Sequence, residues 1–283
     1  MAQKSARRPS GTKRPPERRR SSGGTWLIAV VVIAIAGLVA ARLISPSSSS
    51  PKADPNAVLV GKSVPASLMT TIESAARATP KDVTGQGFVS PKTASSPFAV
   101  SSTPVLLYMG AEYCPYCAAE RWAMVVALSR FGTFTNLHYM LSSATDVHPD
   151  TITFTFYGSH YTSPYLTFTP VEMTKRNESQ LLQKPTQAEY AYFTANNPST
   201  SIPFFTVGTY YWDGTQVDPT LLKGLTWSTV AGELAHPVAG SAAGDIMENA
   251  NVLTAAICKS DGMKPANVCQ APEITGLADV LPK

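Results

Sequence analysis

The chain has 283 residues and 23 Lys/Arg against 19 Asp/Glu, a formal charge of +4 that is unevenly spread. Eight of the basic residues precede Trp26 beside a single acid, Glu17; with those and Arg42 set aside, 14 Lys/Arg face 18 Asp/Glu over the remainder. The bulk of the protein is therefore mildly acidic, which excludes nucleic-acid binding through a basic face of the folded part.

Residues 1–25 are rich in Arg, Pro, Ser and Gly and are expected to be a disordered basic tail. Residues 26–44, WLIAVVVIAIAGLVAARLI, carry one charge, Arg42, near their end. At ~1.5 Å per residue this run approaches the ~30 Å of hydrocarbon that a spanning helix must cross. The excess of Lys/Arg before it orients the N-terminus to the cytoplasm and residues 45–283 to the outside. The predicted localisation is a single-pass cell-membrane anchor, with the lipid bilayer as partner through 26–44. A cleavable signal peptide, with Val39-Ala40-Ala41 as its cleavage region, is the competing reading, although the apolar run is long for one. Either way all four cysteines lie in an extracytoplasmic space where thiols can be oxidised.

Residues 45–57, SPSSSSPKADPNA, read as a flexible tether, and 58–283 as one globular domain. Apolar residues at 68, 69, 72, 75 and 76 have helical spacing within 65–78. A Pro/Gly/Ser-rich stretch follows to about 104. VLLYM, 105–109, is a short run with no polar member, as in a strand buried on both faces. A helix can start at Cys114, with Pro115 at its first position, where a missing N–H costs nothing. It puts Ala118, Trp122, Val125, Val126 and Ser129 on one stripe and stops near Phe131-Gly132. NLHYMLS, 136–142, alternates as a strand; 150–170, rich in Thr, Tyr and Phe, suggests one or two extended segments of packed aromatics. Residues 186–196 look helical, PFFTVGTYYWDG (203–214) reads as a strand and turn or a hairpin, and 226–234 and 243–260 are helical candidates. Strands interleaved with helices indicate an α/β domain.

The chemistry centres on Cys-Pro-Tyr-Cys, 114–117. Residues i and i+3 share a helical face, so Cys114 and Cys117 can meet in a small disulfide ring at a helix N-terminus. A thiolate there feels the positive end of the helix dipole and unpaired N–H groups. Such placement lowers a cysteine pKa from ~8.5 into the range of roughly 3.5–7.5. Cys114 is then the nucleophile and Cys117, one turn in, resolves the mixed disulfide. Three alternatives compete. A zinc site would use the pair as half its ligands, but Cys258 and Cys269 are eleven apart and no His pair has ligand spacing. A Cys–His hydrolase would draw on His138, His148, His160 or His236, yet its second cysteine would be an oxidation liability. An inert structural disulfide stays open, though so short a loop stabilises little.

Strand–Cys-Pro-Tyr-Cys–helix resembles the thioredoxin superfamily, with the Pro-Tyr dipeptide of glutaredoxins. The longer run YMGAEYCPYCAAERWAMVVALSRFG, 108–132, is similar to a membrane-anchored archaeal and actinobacterial thioredoxin-like family catalogued as a domain of unknown function. The resemblance extends over most of 58–283. It implies a thioredoxin-like fold with an insertion at about 143–200, between the active-site helix and a cis-proline strand. It further implies that Pro203 is that cis-proline, that Ile202 and Pro203 present the substrate backbone, and that Glu112, Tyr113, Pro115 and Tyr116 flank the site. The implied activity is protein thiol–disulfide exchange needing no cofactor. Protein thiols and disulfides would be the substrates, and a membrane redox protein a further partner. The sequence departs from that pattern in two ways: TPVLLYM holds no buried carboxylate, with Glu112 and Glu120 expected on the surface, and Tyr113 replaces a Trp. In ICKSDGMKPANVC, Cys258 and Cys269 read as a structural disulfide around a short loop, with an electron relay as the sharper alternative. Asn177-Glu178-Ser179 fits a glycosylation triplet. A non-catalytic extracytoplasmic binding or scaffold domain on the same fold is the competing function.

Overall fold

The computed structural model describes residues 55–78, 89–98 and 103–283. The expected tail 1–25, the membrane segment 26–44 and most of the tether 45–57 lie outside them. Among the described residues no helix is long and apolar enough to cross a membrane. One compact unit, Ala53–Lys283, holds the whole described fold. Its first residues are not a free tether: Asn56 is buried and its side-chain amide donates to the carbonyl of Leu225 at 3.0 Å.

The fold is α/β around a mixed five-stranded sheet. Its centre is β2 (Val105–Gly110), buried along its whole length. On one side β2 pairs in parallel with β7 (Thr167–Glu172) from Val105↔Thr167 to Gly110↔Glu172. On the other it runs antiparallel to β8 (Phe204–Val207), which turns at Gly208 into β9 (Tyr210–Asp213). A two-residue strand, β1 (Lys92–Thr93), covers the outer edge of β9 and was not foreseen in the Pro/Gly/Ser-rich stretch. The order is thus β1-β9-β8-β2-β7.

Alternation along β2 divides the core. Leu106 and Tyr108 join a large cluster that includes Trp122, Ile246 and Leu253, whereas Leu107 and Met109 meet Val171, Phe193 and Phe204 on the opposite face. The large cluster is built by α1 (Ala66–Arg77), α2 (Pro115–Leu128), α4 (Trp227–Glu233) and α5 (Ala242–Ser260), while α3 (Gln187–Asn196) contributes Phe193 to the smaller one. Two short helices, α6 (Ala266–Cys269) and α7 (Pro272–Val280), close the chain.

The single apolar stripe expected for α2 is corrected: every residue of this helix except Tyr116 is buried. The cause is an added layer. Two antiparallel ribbons, β3 (Thr133–Thr135) with β6 (His160–Thr162) and β4 (His138–Leu141) with β5 (Ile152–Thr155), come between α2 and β7. Thr153 donates its hydroxyl to Ala118 O at 2.7 Å and Trp122 donates its indole N–H to Ile152 O at 2.9 Å, fastening β5 to α2. The stretch 150–170 therefore holds parts of three strands rather than one or two. The expected insertion at 143–200 is likewise corrected, since it contains β7, an integral strand of the main sheet.

At the far end of α2 two arginines cap helices reciprocally. Arg130 donates Nε–H to Ala76 O in the last turn of α1 (2.9 Å), and Arg77 donates to Ser129 O and Gly132 O just past α2 (2.9 and 3.2 Å). Arg130 is buried with no carboxylate paired to it among the described residues, so desolvation pushes its pKa down to about 10. Its other donors go to Thr254, Asn251, Ala250 O and Met247 on α5. The negative end of the helix dipole is its compensation.

Candidate active site

The site begins where β2 ends. A Cβ at Gly110 would lie 2.1 Å from the Tyr108 hydroxyl oxygen, so this position takes no larger residue without moving Tyr108. Four residues later Cys114, still extended, is the N-cap of α2, with Pro115 following in the first turn. Its sulfur accepts the N–H of Cys117 at 3.2 Å, doing the work usually given to a capping Ser or Asp. Cys114 is 4 % exposed and Cys117 0 %, and both are free thiols.

Ile202–Pro203 is a cis peptide, as the resemblance implies. It brings the Ile202 carbonyl oxygen to 3.8 Å from Cys114 Sγ, a sulfur hydrogen bond. Four of the sequence-predicted residues, Cys114, Cys117, Ile202 and Pro203, thus converge although up to 89 positions separate them in the chain.

The two thiols are unlike. Cys114 ionises below an ordinary thiol, first because the Cys117 thiol donates to it, then through the backbone N–H groups of Cys117 and Tyr116 and the charge of Arg121, all against burial. Cys117 lies well above one: burial dominates, and donating to Cys114 and facing its charge add to it, with only Arg121 and the Ala111 N–H opposing. Of the two thiols, Cys114 is therefore the one that ionises first.

The flanking residues divide. Tyr113 is half-buried, its phenol pushed up by burial and by the cysteine charges, and its carbonyl accepts Ser143 N–H at 2.7 Å. Pro115 is buried, whereas Tyr116 is exposed and edge-on to His148 with centroids 5.6 Å apart. Glu112 and Glu120, expected on the surface, are both buried. Glu112 accepts the Thr155 hydroxyl at 2.7 Å, and burial raises its carboxyl pKa. Glu120 accepts Gln216 N–H at 2.8 Å and the Thr215 hydroxyl at 3.3 Å, and burial pushes it up to about 7. No histidine hydrogen-bonds to Cys114 among the described residues: His138 pairs with Ser63, and His148 packs on Tyr116.

Sequence reasoning missed a buried ion pair behind the cysteines. Arg121, one turn beyond Cys117, donates Nε–H to one oxygen of Glu172 at 2.8 Å and Nη2–H to the other at 2.6 Å, with both side chains fully buried. Nη2 also donates to Ala111 O at 2.7 Å, and the Tyr108 ring lies 5.8 Å from the guanidinium. A carboxylate is thus present near the site after all. It sits at the end of β7, beside the strand on which it was sought. The available signal was Arg121 itself, a cation at i+4 from Cys117 on a helix whose one other charged residue is Glu120.

Cys258 and Cys269 form a disulfide, as expected, with Cα atoms 5.5 Å apart. It belongs to the opposite end of the molecule. Arg130, past the C-terminal end of α2, bonds Ala250 and Thr254 of α5, and Cys258 lies one turn further on. The 14 residues of α2 alone span ~21 Å. With both sulfurs fully buried there, direct exchange with Cys114 is out of reach.

Comparison with curated proteins and with solved structures returns no match. Residues 90–192, which carry β2, Cys114, Cys117, Arg121 and Glu172, match the model of a family described as a domain of unknown function, DUF929.

Proposed function

We propose that the protein is an extracytoplasmic thiol–disulfide oxidoreductase on a thioredoxin-like fold, tethered to the membrane through 26–44. The observation that carries the proposal is the unequal pair. The N-capping Cys114, its thiol donating to the Ile202 carbonyl at 3.8 Å, ionises below an ordinary thiol, and the buried Cys117 behind it ionises well above one. The fold reading is supported by the order of elements: β2, the Cys-bearing α2, a parallel β7, then antiparallel β8 and β9 with the cis-proline at the start of β8.

In the reducing direction the Cys114 thiolate attacks a client disulfide. One client sulfur leaves as thiolate and a mixed disulfide remains. Cys117 then loses its proton and attacks Cys114 Sγ, so that the second client sulfur leaves and Cys114–Cys117 forms. Two electrons pass to the client, and the reverse sequence oxidises it. Which direction prevails depends on the reduction potential of the pair. The segment Ile202–Pro203 presents the client backbone by strand addition.

The test is exchange with a disulfide-bonded protein client by the wild type and by Cys114→Ser and Cys117→Ser variants. The expected outcome is loss of exchange for the first and accumulated mixed disulfides for the second; full activity of Cys114→Ser would overturn the proposal. The low exposure of Cys114 favours a second reading, a scaffold domain with no exchange activity. It predicts a Cys114 thiol that modifies only on unfolding.

A further inference from the structure

Resolution is the difficult half of the proposed cycle. Cys117 is wholly buried, and an anion in a dry interior costs several kcal/mol unless a charge or hydrogen bonds receive it. We propose that Arg121, clamped by Glu172, is the positioning residue that receives the Cys117 thiolate during the resolving step. The inference rests on the exchange activity proposed above.

Three observations carry it. Arg121 is four residues beyond Cys117 on α2, so the two side chains share a face. Its guanidinium also grips the residue whose backbone serves Cys117: Nη2 donates to Ala111 O at 2.7 Å, while the Ala111 N–H favours the Cys117 thiolate. Finally, this wall contains two buried donors with no acceptor, Arg121 Nη1 and the Tyr108 hydroxyl. Buried donors rarely go unpaired, and each of these groups is close enough to feel charge on Cys117. No acceptor among the described residues meets them; a thiolate at Cys117 supplies one.

Glu172 has a double role. Its two bonds fix the guanidinium, leaving Nη1 uncommitted, and its negative charge offsets part of the attraction that Arg121 exerts. The other titratable groups facing the pair are Tyr108 on β2, Glu112 between β2 and α2, and Cys114 itself. None of them supplies a second cation. The arrangement therefore assigns opposite signs to the two partners. Removing Arg121 makes Cys117 harder to ionise, and neutralising Glu172 makes it easier.

The probe is a bis-nitrobenzoate disulfide added to the reduced full-length protein, followed through its coloured arylthiolate. Cys114 attacks the reagent and releases the first arylthiolate; Cys117 attacks the resulting mixed disulfide and releases the second. Two electrons pass to the reagent and two protons to solvent. The pH profile of the second phase reports Cys117. Each unit of pKa changes the thiolate fraction about tenfold below the pKa, and the opposing change in nucleophilicity leaves about threefold in rate. Arg121→Met is expected to slow the second phase at least threefold and move its profile to higher pH. Glu172→Gln is expected to move it to lower pH, and the double variant to return it near the wild type. A purely structural pair would shift both profiles the same way or neither, and either result overturns the inference. If Arg121→Met does not fold, Glu172→Gln alone decides by the direction of its shift. Absence of any second phase in the wild type instead refutes the exchange activity itself.

Discussion

Glu120 offers the sharpest test of the electrostatics of this core. Its carboxyl is buried on α2 and titrates at about 7 rather than 4.5, held there by desolvation against the hydrogen bonds from Gln216 N–H and the Thr215 hydroxyl. The sign follows from linkage. Below pH 4.5 the group is protonated in folded and unfolded chains alike, and its burial as a neutral acid carries no penalty. Between 4.5 and 7 the unfolded chain ionises first, so stability falls as pH rises, and above 7 the loss is complete. At 1.36 kcal/mol per pKa unit, a rise from 4.5 to about 7 is worth about 3 kcal/mol. Glu120→Gln keeps an acceptor for Gln216 N–H and cannot ionise. It is expected to match the wild type at pH 4 and to exceed it by up to about 3 kcal/mol at pH 8. With a urea m-value of about 3 kcal/mol/M, that is a midpoint about 1 M higher. The assay is urea unfolding of both proteins across pH 4–8. Glu112, also raised by burial, tilts both curves alike; the charge of Asp245 adds to the rise at Glu120, so the difference reports Glu120 in the field of Asp245. If Glu120→Gln loses stability over pH 5–7 as steeply as the wild type does, the reasoning fails.

Two further outcomes follow from the far end of the molecule. Arg130→Met strands Ala76 O and Asn251 Oδ1, each costing about 1–3 kcal/mol when left unpaired; a loss of about 3 kcal/mol lowers Tm by roughly 6–12 °C in calorimetry. Replacing Cys258 and Cys269 by serine is expected to cost about 2–4 kcal/mol, while leaving both phases of arylthiolate release unchanged. Altered release kinetics would show that this disulfide communicates with Cys114.

How much of this was legible in the sequence depended on how local each signal was. The helix at α1, the buried strand β2, the cap at Cys114 with Pro115 after it, and the β8–β9 hairpin are set by neighbouring residues, and the structure has each of them. What escaped was set by distance. β7 reads poorly as a core strand because TFTPVE contains Pro170; it is tolerated since β7 lies at the sheet edge, where a missing N–H breaks no ladder on the outer side. Lone carboxylates usually belong on the surface, so nothing local to Glu112 or Glu120 marks them as buried. Their partners, Thr155 at the end of β5 and the Thr215 hydroxyl with Gln216 N–H beyond β9, lie 43, 95 and 96 positions away. Arg121 and Glu172 are 51 positions apart, and neither charge by itself predicts burial.

The near-total enclosure of α2 restricts how such a protein can diversify. Thirteen of its fourteen side chains are committed to the interior, so a change at almost any of them is a change of core. Tyr116 alone looks outward. An evolving lineage would find one adjustable letter in this helix, lying between the two cysteines in the chain, and would have to write any other change of surface in the surrounding loops.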